Sequence, residues 1–109
     1  MTTVTELEPT VLRRQKSFWG KANVLVNDAG DVALESYGTI VCWIDASTNT
    51  LHRTWDGWSR TTAMHVAEFV AQRRPSAAYE NIVGDPGMNK RRWEEMPVSD
   101  APASFVRLC

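Results

Sequence analysis

The chain has 109 residues, 43% of them apolar and 23% charged, with twelve Lys and Arg against thirteen Asp and Glu for a formal charge of −1. That length is one domain's worth of polypeptide, enough to fold alone around one core with little stability in reserve. The near-even charge balance excludes bulk electrostatic binding of nucleic acid and, equally, an acidic mimic of DNA.

Two cysteines, Cys42 inside an apolar run and Cys109 at the last position, make no disulfide framework and suit a reducing compartment. The opening MTTVTELEPT carries no charged-then-apolar leader, and no stretch approaches the ~20 apolar residues of a membrane span. A soluble, cytoplasmic protein is expected. Five of the ten aromatic residues are tryptophan: Trp19, Trp43, Trp55, Trp58 and Trp93. Such side chains serve either as core filler or as interface hot spots. Trp43 lies in an apolar run and reads as core, whereas Trp55 and Trp58 stand open between the two roles.

In chain order, residues 1–12 lack periodicity and read as a flexible arm, which leaves 13–109 as a single α+β domain. Arg13, Arg14 and Lys16 form a basic cluster before Phe18 and Trp19. Residues 21–27 (KANVLVN) alternate, with Ala22, Val24 and Val26 on one face and Leu25 on the other. Asp28-Ala-Gly-Asp31 supplies a hairpin loop, with Gly30 able to take a positive φ, and residues 32–36 return as the paired strand. After Gly38, residues 39–45 (TIVCWID) form the most strongly apolar strand, expected to be central and covered on both faces. Turn chemistry at 45–49 leads to residues 51–55, which alternate and pair back as a second hairpin until Asp56-Gly57 breaks them.

Ser59 or Thr61 can cap a helix over 62–73. Its apolar stripe is Ala63, Val66, Phe69 and Val70, with Thr61, His65, Glu68 and Gln72 on the polar side. Arg73 and Arg74 complement its carbonyl end and Pro75 stops it, so the helix should cross the sheet with Phe69 as main anchor. Residues 84–87 form a loop, 88–96 can form a two-turn second helix, 97–102 read as a tail, and 104–109 are left as strand or loose end. The predicted architecture is α+β: about four strands, mostly antiparallel, packed by one main helix.

Catalytic constellations are not found in the residues. There is no C-x-x-C, H-x-x-x-H or H-E-x-x-H, so no metal site is predicted and no cofactor is expected. Cys42 with His52 or His65 is the only formal nucleophile–base pair, but a mid-strand Cys behaves as a small core hydrophobe. G-x-S-x-G and phosphate-binding glycine loops are absent, and Glu94-Glu95 diverge on a helix. Aromatic and basic residues interleave at Trp55, Trp58 and Arg60, and again at Lys90, Arg91, Arg92 and Trp93. Either cluster can anchor a protein partner or grip single-stranded nucleic acid. The plainer reading of Lys90–Arg92 is a solvated helix face balanced by Glu94 and Glu95.

KSFWGKA at residues 16–22, LESYGTIV at 34–41, and WSRTTAMH at 58–65 with Glu68 and Phe69 give the chain a resemblance over residues 16–72. It resembles a group of short proteins carried by bacteriophages, plasmids and related mobile elements, a group with no assigned catalytic residues. The resemblance implies a small protein acting on a host protein or nucleoprotein complex, with an anti-defence factor of the anti-CRISPR kind as the leading expectation. A non-enzymatic inhibitor is therefore expected, with single-stranded nucleic-acid binding or a phage structural or assembly role as the alternatives. The residues expected to touch the partner are Trp55, Trp58, Arg60, Lys90, Arg91, Arg92 and Trp93.

Overall fold

The computed structural model describes residues 2–8, 21–73, 75 and 90–105. Its elements are β1 (Thr3–Glu6), β2 (Ala22–Val26), β3 (Val32–Ser36), β4 (Thr39–Asp45), β5 (Thr50–Arg53), helix α1 (Arg60–Arg73), helix α2 (Lys90–Glu95) and a 3-10 turn at Ala103–Phe105. The strands make one antiparallel sheet in the order β1-β2-β3-β4-β5. The predicted α+β class holds, with five strands where about four were expected. The additional one is β1, within the segment read as an arm. Its four side chains are all exposed, so no apolar alternation marks it, and pairing with β2 defines it instead. Leu7, just beyond it, is buried in the core and donates its N–H to the Ala22 carbonyl at 2.9 Å.

The two predicted hairpins form. Asp28–Asp31 closes β2 onto β3 with Gly30 at φ 87°, and Asn49 at φ 55° helps close β4 onto β5. Between β3 and β4 the loop is only Tyr37-Gly38, both at positive φ (52° and 81°), as a right-twisted two-residue hairpin demands.

Alternation sends Ala22, Val24 and Leu34 to one face, and Leu25 and Ala33 to the other. On β4 a bulge changes the parity: Leu34 pairs with Cys42 but Glu35 pairs with Ile40, leaving Val41 as the extra residue. Cys42 and Ile44 therefore join the main core, while Ile40 packs with Trp43 on the second face. Phe105, 1% exposed, seals that second face, so β4 is covered on both sides as predicted. Trp43 is only partly buried there, stacked on His52 at 4.7 Å.

Helix α1 begins where Ser59 accepts the Thr62 N–H on its Oγ at 3.1 Å, which selects Ser59 as the cap over Thr61. Ala63, Val66, Phe69 and Val70 enter the main core as expected. The polar side departs from expectation: His65 and Glu68 are each 1% exposed, and nine of the fourteen helix residues are buried. The segment after β1 contributes to this enclosure, for Gln72 donates to the Glu8 carbonyl at 2.7 Å and to the Glu68 carboxylate at 2.9 Å.

The C-terminal segment is no loose tail either. Val98 bridges Arg53 in parallel and the Ser99 N–H reaches the Arg53 carbonyl at 2.9 Å, covering part of the outer edge of β5. Residues 106–109 lie outside the described residues, as do Trp19 and the 13–16 basic cluster.

Candidate functional site

The connection from β5 to α1 is pinned at nearly every residue. The bulge carbonyl of Val41 accepts from both Thr54 N–H (3.0 Å) and Trp55 N–H (3.3 Å), and the Thr54 hydroxyl reaches the Ile40 carbonyl at 2.8 Å. Arg53 Nε donates to the Trp55 carbonyl at 2.8 Å, and Trp93 Nε1 donates to the Gly57 carbonyl at 2.7 Å. Gly57 has no substitute here, since a Cβ at that position would run into the Trp55 indole. Out of this fixed loop Trp58 emerges 37% exposed, followed by the exposed Arg60 at the start of α1. Trp55 is half-buried against the main core. Trp55, Trp58, Ser59, Thr62, Ala63, Val66 and Trp93 line a crevice of about 150 Å³ with its open mouth included. The crevice has no room for even a water-sized molecule, so it is a seam of packed side chains rather than a substrate pocket.

Of the residues expected to contact a partner, Trp58 and Arg60 are exposed and Trp55 is a half-buried support. Trp93 is a correction: at 1% exposure it is a core residue, and its ring carries the Arg53 guanidinium at 5.0 Å. Sequence placed it beside three basic residues on a short helix, but α2 turns that position inward. Lys90, Arg91 and Arg92 lie on α2, and their side chains are outside the described residues.

A polar cluster at the same end of the sheet escaped the sequence reading. Ser36 Oγ lies 2.8 Å from His65 Nδ1 and 3.1 Å from Thr62 Oγ1, all three groups being buried. Tyr37, at the hairpin tip, is 54% exposed, with the His65 ring 5.7 Å behind it and Lys21 Nζ 5.8 Å over its face. Burial, and then the charge of Lys21, push the imidazole down to about 4, so it is neutral at pH 7 and able to accept a hydrogen bond from the Ser36 hydroxyl. Correcting the expectation of a surface histidine, His65 ties the hairpin tip to α1. Only the Tyr-Gly pair after a strand hinted at this tip; the contacts join residues 26 and 29 positions apart.

Ser36 with His65 is thus a nucleophile–base geometry, but Ser36 is 2% exposed. Cys42 is fully buried and burial drives its thiol far above the usual range. It belongs to the main core, whereas His52 stacks on Trp43 of the second face. Among the described residues no three His, Cys, Asp or Glu side chains converge to hold a metal ion. Among them, too, no helix is long and apolar enough to cross a membrane.

Fold and site together define a small α+β domain: a five-stranded meander whose helix-bearing end presents exposed aromatic and basic side chains on a fixed framework. The chain belongs to a family of unknown function (DUF8033), whose model matches residues 5–85. That match spans all three stretches that carried the sequence resemblance, together with half of β1. Neither the curated proteins nor the solved structures compared with it provide a match.

Proposed function

We propose that this chain is a binding protein that works without catalysis, engaging a host protein or nucleoprotein complex through Trp58 and Arg60 with Trp55 behind them. The observation that carries the reading is Trp58 itself, 37% exposed on a loop held by backbone and side-chain hydrogen bonds on both sides. A large aromatic fixed in place binds at low entropic cost, which is the economy of an interface anchor. Tyr37, exposed at the same end of the sheet, extends that surface. The finer reading is an anti-defence factor of a phage or mobile element, of the anti-CRISPR kind. Its support is the resemblance of residues 16–72 to short proteins of such elements.

The test is capture from bacterial lysates of hosts carrying CRISPR–Cas and other defence systems, with and without nuclease, by the natural chain and by Trp58→Ala. A stoichiometric protein partner that survives nuclease is expected, with affinity for Trp58→Ala reduced by more than ~2 kcal/mol, about thirtyfold, and an unchanged circular dichroism spectrum. Partners that vanish with nuclease would favour single-stranded nucleic acid instead. A Trp58→Ala chain that is folded and binds as tightly as the original would remove the anchor assignment.

A further inference from the structure

The two edges of the sheet are treated differently. At β5 the Val98–Ser99 segment takes up the outer backbone of Arg53, whereas among the described residues β1 ends the sheet on the other side with Thr3, Val4, Thr5 and Glu6 all exposed. Natural sheets guard an open edge with lysine, proline or a bulge. β1 reads TVTE and pairs with β2 without a register shift, so among the described residues it carries no lysine, proline or bulge, and Glu6 with a four-residue length is what limits further pairing.

The register fixes which backbone groups face outward. Leu7 donates to Ala22, and antiparallel pairs alternate between bonded and non-bonded, so Thr5 and Thr3 are the residues bonded to β2. Val4 then directs its N–H and C=O away from β2, toward the open edge. Its side chain, 45% exposed, lies on the same face as its partner Leu25, at the rim of the second apolar cluster.

We propose that β1 pairs antiparallel with β1 of a second copy of this chain about a two-fold axis through Val4. The register is self-complementary. Val4 exchanges both backbone hydrogen bonds with Val4 of the other copy and the two valines meet on the second face. Thr3 falls opposite Thr5, a favourable cross-strand pair, and Glu6 falls opposite Thr2, so no two carboxylates oppose each other. The alternative centre, Thr5 on Thr5, sets each Val4 against Glu6 and forgoes the apolar pair. The resulting contact is isologous and closed, a ten-stranded continuous sheet, and it leaves Trp58 and Arg60 accessible. Its short length makes it a reversible dimer rather than an obligate one.

Cysteine cross-linking in a Cys109→Ser background tests the register, with diamide as oxidant. Facing residues of a bonded antiparallel pair have Cα atoms about 5.5 Å apart, which a disulfide spans. Val4→Cys is expected to cross-link at least tenfold faster than Thr5→Cys, whose side chain lies on the opposite face. Sedimentation should show a concentration-dependent dimer, weakened at least tenfold by Val4→Pro. That change removes the outward N–H and no bond to β2, so the melting temperature should hold within a few degrees. Equal cross-linking of the two cysteine variants, or a monomer at every concentration up to ~1 mM, would overturn the proposal. So would a monomeric chain in which Val4→Pro abolishes capture of a lysate protein, because the edge would then serve another protein's strand. None of these results depends on Trp58→Ala, so this proposal and the partner-binding reading fail separately.

Discussion

Burying His65 as a neutral ring has a cost that depends on pH. In the unfolded chain a histidine titrates near its ordinary ~6.5, whereas in the fold burial and Lys21 hold it at about 4. Between those values the unfolded chain binds more protons, so folding stability falls as pH drops through the window and is unaffected by this group above it. The natural chain should lose up to ~3 kcal/mol more than His65→Gln between pH 7 and pH 4. Urea titrations of both chains across that range check it, and parallel pH profiles would mean that His65 does not carry the effect. The same residue marks a limit of reading sequence. At helical spacing it falls with Thr61, Glu68 and Gln72, and a histidine among polar neighbours looks solvated. Its burial comes from Ser36 and Tyr37, which approach it from a hairpin 28–29 residues earlier.

At the scale of elements, α2 depends on a side chain from another part of the chain. Arg53 Nη1 donates to the carbonyls of Trp93 and Met96, both at 3.1 Å, at the C-terminal end of that six-residue helix. The Trp93 carbonyl also accepts the Met96 N–H at 3.1 Å, but no further helical turn follows, and a guanidinium matches both the geometry of these carbonyls and the negative end of the helix dipole. So short a helix is unstable by itself, so this buried cap and the insertion of Trp93 hold it in place. Arg53→Met should destabilise the protein by ~3 kcal/mol, because the Trp55 and Met96 carbonyls lose their guanidinium donor and the Trp93 carbonyl one of its two donors inside the fold. Arg53→Lys should recover little of it, since one ammonium cannot span the Trp55 carbonyl and the end of α2 together. Chemical denaturation followed by tryptophan fluorescence measures both. Sequence placed Arg53 within an alternating strand, but in β5 it shares the buried face with Leu51, and that its side chain would be buried as a cap was not legible there.

Across the whole molecule the strands meander, so the chain's turns collect at two ends. Asp28, Asp31 and Asp45 gather at one, and Lys21, Tyr37, Trp58 and Arg60 at the other. The second end is where α1 begins, which is why residues far apart in sequence share a surface. The segment read as an arm belongs to this body through Leu7, 1% exposed in the cluster that also holds Phe69 and Trp93. Leu7→Ala should therefore cost 2–4 kcal/mol, roughly the range for a buried leucine. A loose arm would leave the melting curve where it is, so thermal unfolding decides between them.

What sequence determined by itself was local. Period-two alternation fixed β2 and β5, the return from the Asp28–Asp31 turn fixed β3, the apolar run fixed β4, and turn residues with a serine cap placed the hairpins and the start of α1, because these depend on neighbours within a few positions. The exposure of Trp58 was legible only as one of two open readings. Tertiary structure decided the rest: the strand β1, whose exposed side chains carry no pattern, the inward turn of Trp93, the bulge that moves Cys42 to the main core, and the burial of His65, Glu68 and Arg53. Each of these is set by partners distant along the chain, and burial of a polar group becomes favourable only once those partners arrive to satisfy its hydrogen bonds.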